Sequence, residues 1–251
     1  MKPKTLVIDV SRVQGRIDWA RARDEGGVRG VYVKSSEATG YVDPRCLEHL
    51  EGARRAGLFV GIYHFCHPTL DAAAQVQRAW DACGPTMPHF RLAMDLEAAA
   101  KHLTPADLVA FARAFREETL ARFGRSNVFY SYSSFLAWRM AATSAVPIDL
   151  AECPLWIANY GPGGPWRPRD DQWPRCPPPW ERIAMWQYSG NGGEPVPGVE
   201  GDVDRNYFAG DEADLREFAG LMPEGYEIDM GGPVHGSHVV DGALAEREPI
   251  V

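Results

Sequence analysis

The sequence predicts an α/β fold: a modified, TIM-like barrel of about five β/α units followed by mostly β-strands. Three observations predict it. Short β-branched apolar runs recur along the chain. Amphipathic stretches separate the first five of them at roughly 25–35-residue intervals, the signature of βα units and a parallel sheet. After about residue 150 the helical stretches cease while the apolar runs continue.

In chain order the expected strands are "TLVIDV" (5–10), "GVYVK" (30–34), "FVGIYHF" (59–65), "RLAMDLE" (91–97), "NVFYSY" (127–132), "PLWIANY" (154–160) and "RIAMWQYS" (182–189). Between them, "PRCLEHLEGARRAG" (44–57) has apolar residues at helical spacing and ends in Gly57. "DAAAQVQRAWDACG" (71–84) behaves alike, and 104–124 opens on a Thr104 cap with Pro105 in the first helical position and closes on Gly124. Asp18 in "RIDW" reads as the cap of a first helix. Residues 161–181 are rich in Pro, Gly, Arg and Trp and carry no helical pattern. The expected organisation is one barrel domain over 1–220 and a C-terminal extension over 221–251, acidic and almost without aromatics.

The composition is that of a globular domain, 45% apolar and 24% charged in 251 residues. A net charge of −8 argues against a nucleic-acid partner, which needs a basic face. The apolar run near the N-terminus is too short and too interrupted for a signal peptide, and no apolar stretch reaches the length of a membrane span. Five cysteines without a CxxC pair suggest free thiols rather than a zinc cluster or a disulfide framework. The missing export signal and the free cysteines together favour synthesis in the cytoplasm, and a monomer is expected.

The chemistry lies at the strand ends. In "RLAMDLEAAA" an apolar run leads into Asp95, and Glu97 follows two residues later. On a strand such residues share one face, with Cα atoms about 6.5–7 Å apart, so the two acids repel unless something pairs with them or uses them. The other expected strands end in Asp9, Lys34, Tyr63 with His64, Tyr130 with Tyr132, Trp156 with Tyr160, and Gln187, and Asp204 follows in "GDVDRNYF". Parallel barrel strands bring these ends to one mouth, where catalytic groups of such folds sit. Crowded carboxyls cannot all ionise cheaply, so at least one holds its proton, as the acid/base pair of glycoside hydrolysis requires. A divalent-metal site competes, because hard cations also want oxygen ligands. Tyr63, Tyr130, Trp156 and Trp186 would supply walls on which sugar rings stack. Trp80 and Trp138 are expected in the core. His64 reads equally well as a structural histidine and as a substrate contact.

Six blocks then occur in order: "VIDVSRVQGRIDW", "VYVKSSEATGYVDP", "GLFVGIYHF", "AMDLE", "LWIANY" and "MWQYSGNGGEPVPGVEGDVDRNYFAG". Together, over residues 5 to about 210, they resemble glycoside hydrolase family 25, the Chalaropsis-type lysozymes. The resemblance implies a modified barrel and a muramidase cutting the β-1,4 bond between N-acetylmuramic acid and N-acetylglucosamine in bacterial peptidoglycan, with no cofactor and no metal. It implies Glu97 as the general acid, Asp95 as the group that orients or stabilises the reacting sugar, and Asp9 and Asp204 as completing the acidic cleft. Lys34, Glu37, Tyr63, Tyr130, Trp156, Tyr160, Trp186 and Gln187 are the expected substrate contacts. "KSSEATG" departs from the family's Lys-Ala-Thr-Glu-Gly block: it keeps Lys34 and Glu37 and displaces the glycine. A non-catalytic barrel gripping wall glycans and a metal-dependent hydrolase are the alternative readings. A wall substrate combined with cytoplasmic synthesis implies a release or delivery machinery.

Overall fold

The computed structural model describes residues 3–140, 149–160, 168–169, 171–190 and 194–221. Apart from Leu221, the expected C-terminal extension lies outside the described residues, as does part of the 161–181 stretch.

Eight strands close a barrel: β1 (Thr5–Val10), β2 (Gly30–Glu37), β4 (Phe59–Phe65), β5 (Ala93–Asp95), β6 (Val128–Tyr132), β7 (Leu155–Ala158), β8 (Ile183–Ser189) and β9 (Asp204–Phe208). From β1 to β8 neighbours run parallel, and β9 closes the ring antiparallel to both β8 and β1. A two-residue strand, β3 (Tyr41–Val42), folds back on β2 as a hairpin. Helices follow five of the strands: α1 (Trp19–Asp24), α2 (Cys46–Arg55), α3 (Ala72–Cys83), α4 (Pro105–Phe123) and α5 (Ser133–Trp138). No helix joins β7 to β8 or β8 to β9 among the described residues, and a short α6 (Glu212–Phe218) follows β9. The change of pattern after residue 150 is therefore real: five β/α units, then strands joined by loops.

Local chemistry sets the helix ends where the sequence put them. Asp18 and Asp71 cap α1 and α3 by accepting from the backbone N–H groups of Arg21 and Ala74. On α4, Thr104 and Asp107 form a reciprocal capping box, Pro105 takes the first position and Gly124 ends the helix in the left-handed region at φ 73°. Its buried face, Leu108, Phe111, Ala112, Phe115 and Thr119, repeats at helical spacing.

Alternation along each strand divides the core in two. Ile8, Val31, Val33, Val60, Ile62, Met94 and Phe129 face outward and pack under the helices. Val7, Tyr32, Phe59, Phe90, Ala93, Val128, Trp156, Met185 and Phe208 fill the barrel interior, with Phe218 of α6 packed against them. Gly61 is small because it must be: a Cβ there would lie 2.7 Å from the Tyr32 ring and 2.8 Å from Phe90.

Two tryptophan expectations change. Trp80 is half-buried, edge-on to Phe123. Trp138 is not core: it is 81% exposed at the C-terminal end of the six-residue α5.

Candidate active site

The parallel strand ends converge on a pocket lined by Asp9, Lys34, Tyr63, Phe65, Asp95, Glu97, Tyr130, Trp156, Tyr160, Gln187 and Asp204. Each is set by register. Asp9 pairs across the sheet with Asp204, and Asp95 stands level with Phe65 on one side and Tyr130 on the other. Glu97 lies just beyond β5, but the ladder continues past the strand: Leu96 N–H donates to the Tyr130 carbonyl and the Ser131 hydroxyl to the Leu96 carbonyl. The peptide between Asp95 and Glu97 is thereby held extended, keeping both acids on the pocket side.

The carboxyls sit in different surroundings. Asp9 is buried, and its Oδ2 accepts from Gln187 Nε2 at 2.9 Å and Asn206 Nδ2 at 2.8 Å. Burial raises its pKa, and these amide donors pull it back. Asp95 is 6% exposed, and its Oδ1 has no hydrogen-bond partner among the described residues. Burial, with the charges of Glu97 and Asp9, pushes it well above the usual carboxylate range. Glu97 is half-buried and is also raised, first by burial and then by the Asp9 charge, with Lys34 opposing. Asp204 is raised to about 8 by burial and by its proximity to Asp9. Asp204 thus keeps its proton at neutral pH beside an Asp9 carboxyl fixed by hydrogen bonds, and Asp95 and Glu97 are both shifted toward their protonated forms, the kind of carboxyl cluster from which acid/base catalysis draws its acid.

The aromatic residues divide by role. Trp156 and Tyr130 line the pocket but are 2% and 7% exposed, so they offer polar atoms rather than open rings. The Trp156 indole packs against Tyr32, with centroids 4.8 Å apart, and donates to Asn206 Oδ1 at 2.7 Å. Tyr160, 56% exposed, is the open ring at the mouth, with half-buried Tyr63 and Phe65 opposite in the lining.

Two expected contacts fall outside the lining. Trp186 is adjacent to Gln187 on β8 and so faces the other way, into the outer core, where its Nε1 donates to the Asn159 carbonyl. Glu37 lies beside the pocket, its two oxygens taken by Lys34 Nζ at 2.7 Å and His67 Nε2 at 3.2 Å. His64 resolves as structural: it is fully buried between Ser36 and Gln75, and burial holds its pKa at about 4. The "KSSEATG" departure acquires a physical meaning, since Ala38 directly after Glu37 has φ 49°, the left-handed region that favours glycine. Sequence reasoning missed Phe65 and Asn206. The signal for Asn206 was its position two after Asp204, hence on the same face. Among the described residues no three His, Cys, Asp or Glu side chains converge as a metal-holding group.

Comparison with known proteins places this geometry. The sequence profile of glycosyl hydrolases family 25 matches residues 8–198. Lysozyme M1 of Streptomyces globisporus is 31% identical over 224 residues, covering 84% of this chain and 70% of that protein. The N,O-diacetylmuramidase of Chalaropsis sp is 29% identical, covering 72% and 86%. The crystal structure of a bacterial lysozyme from Streptomyces coelicolor superposes with a TM-score of 0.74 at 28% identity, covering 86% of this chain and 97% of that one.

Proposed function

The chain belongs to glycosyl hydrolases family 25, and from that premise we propose that it is a lysozyme-type peptidoglycan hydrolase cutting the β-1,4 bond between N-acetylmuramic acid and N-acetylglucosamine. The names of its relatives, a lysozyme and an N,O-diacetylmuramidase, support the substrate class.

The observation that carries the reading is the contrast within one strand end. Glu97 is half-buried at the pocket with its proton affinity raised, which suits a general acid donating to the leaving glycosidic oxygen. Asp95, two residues earlier, is buried with one oxygen lacking a protein partner. A buried acceptor of that kind takes a donor from the substrate, and the N–H of the 2-acetamido group supplies one. Held there, the acetamido carbonyl oxygen attacks C1 as the bond to the leaving oxygen breaks and Glu97 delivers its proton. Water then opens the cyclic intermediate with return of a proton to Glu97, leaving a β-configured reducing end. Two carboxyls from one strand fit this route better than the opposed pair that ordinary retaining and inverting enzymes place across the sugar. Tyr160 at the mouth supplies a stacking face. The five cysteines are all free thiols, which supports synthesis in a reducing compartment and release to the wall afterwards.

Digestion of purified peptidoglycan, read by mass spectrometry and NMR of the fresh fragments with and without a chelator, tests the proposal. The expected fragments end in reducing N-acetylmuramic acid, appear first as the β-anomer, and form equally in chelator. Reducing N-acetylglucosamine ends would refute the bond assignment, and a first-formed α-anomer would refute the acetamido route.

A further inference from the structure

Asn206 and Gln187 are neutral, yet both ends of each amide are hydrogen-bonded at the acidic pocket. They stand opposite each other on adjacent strands β9 and β8, and both direct an amide N–H at the same atom, Asp9 Oδ2. Each amide is itself oriented from behind. Trp156 Nε1 donates to Asn206 Oδ1 at 2.7 Å, and Tyr130 and Tyr160 donate their hydroxyls to Gln187 Oε1 at 2.8 and 2.7 Å. An indole N–H can only donate, so the Asn206 atom it meets is the oxygen and the amide nitrogen must face Asp9. A phenol can donate or accept, so the orientation of Gln187 is set by Asp9, against which a flipped amide would place a carbonyl oxygen, and the two phenols then donate to its Oε1. Asn206 and Gln187 are at most 2% exposed, so water does not compete for these bonds.

We infer that Trp156, Tyr130 and Tyr160 are positioning residues that act through Asn206 and Gln187 to fix the place and orientation of the Asp9 carboxyl in the cleft it lines with Glu97. The chain of causes runs from three aromatic donors to two amides, from the amides to one carboxylate, and from that carboxylate to the acid. The second half is electrostatic: burial raises Asp9 while the two amides and Asp204 oppose that rise, and burial together with the Asp9 charge raises Glu97 while Lys34 and Tyr130 oppose it. The buried aromatic rings of this pocket are thus present for their polar atoms. The part played by Glu97 rests on the function proposed above; the part played by Asp9 does not.

Trp156→Phe deletes the indole donor together with its five-membered ring and leaves a six-membered ring in place, which frees Asn206 to turn; Tyr160→Phe deletes a hydroxyl alone. Carboxyl carbon NMR titration of Asp9 and Glu97, in the wild type and in Trp156→Phe, Tyr160→Phe and Asn206→Leu, is compared with the pH profile of kcat/KM on peptidoglycan. In Trp156→Phe we expect Asp9 to titrate higher and Glu97 lower, by about half a unit to one unit each, so that the active pH range narrows from both sides. Asn206→Leu gives the larger shift. Tyr160→Phe gives the smaller one, because Tyr130 remains on Gln187, and its exposed position protects the test if the buried variants do not fold. A merely structural role would lower the profile without moving its limbs. Unchanged titrations of Asp9 and Glu97 in Trp156→Phe and Tyr160→Phe overturn the inference. If the titrations move but the wild type cuts no peptidoglycan, the positioning network stands and the lysozyme reading falls.

Discussion

The two ends of the barrel interior use the same strands for opposite purposes. At the floor, Val7, Phe59, Val128, Met185 and Phe208 meet Phe90 and Phe218 in an apolar plug. Two residues further along the same inward faces, or four along β4, the lining becomes Asp9, Tyr63, Tyr130 and Gln187, with Asn206 buried behind Asp9. On β9, which runs the other way, the order reverses: Asn206 and Asp204 come before Phe208. The period of two places both sets inside, and one further step changes a residue that stabilises the barrel into one that destabilises it but is chemically useful. Burying a large apolar side chain stabilises by about 1.5–3 kcal/mol, whereas burying a carboxyl beside others costs stability and shifts its proton affinity. The lesson is that floor and mouth should separate cleanly under mutation.

Glu97→Gln should break that comparison most visibly at the mouth. Removing a general acid costs about 10²–10⁴-fold in kcat, and the unfolding midpoint should hold or rise, as checked by fragment release and thermal denaturation. At the floor, Phe90→Ala should destabilise by about 3–5 kcal/mol, seen as a lower denaturant midpoint, while the folded fraction keeps its kcat.

Asp204→Asn sharpens the comparison through pH. A carboxyl held at about 8 in the fold keeps its proton where the unfolded chain, near 3.8, has lost it. The folded state then binds more protons between those values, so this group's contribution to stability falls as pH rises from about 4 to about 8. The replacing amide does not titrate, so the variant should gain stability over the wild type progressively from pH 4 to pH 8 and show a flatter dependence of Tm on pH. The smallest effect concerns the rim: Ala38→Gly should stabilise by about 1 kcal/mol, because the left-handed backbone there penalises a Cβ, with fragment release unchanged.

Much of this was legible in the sequence because it depends on short-range patterns. Asp9, Asp95 and Glu97 announced themselves as acids closing apolar runs, and the caps Asp18 and Thr104 fixed where helices begin. What was not legible depends on parity or on partners distant in the chain. Trp186 and Gln187 cannot both face the pocket, and side-chain type alone did not choose between them. Asn206 carries no titratable signal, and its importance appears only when β9 is laid antiparallel between β1 and β8, a direction set by the loop before it. Trp156 read as a sugar platform because an aromatic at a strand end usually offers its face; here the ring is covered by Tyr32 and only its N–H is used.

The most direct test pairs Glu97→Gln with Phe90→Ala in a single measurement: new reducing N-acetylmuramic acid ends released from peptidoglycan per folded molecule, the folded fraction being read in the same sample. The account predicts that Glu97→Gln is fully folded and nearly inactive, and that Phe90→Ala is less folded with normal turnover per folded molecule. Normal release by Glu97→Gln would contradict the assignment of the acid, and with it the division of the barrel into a floor that holds and a mouth that reacts.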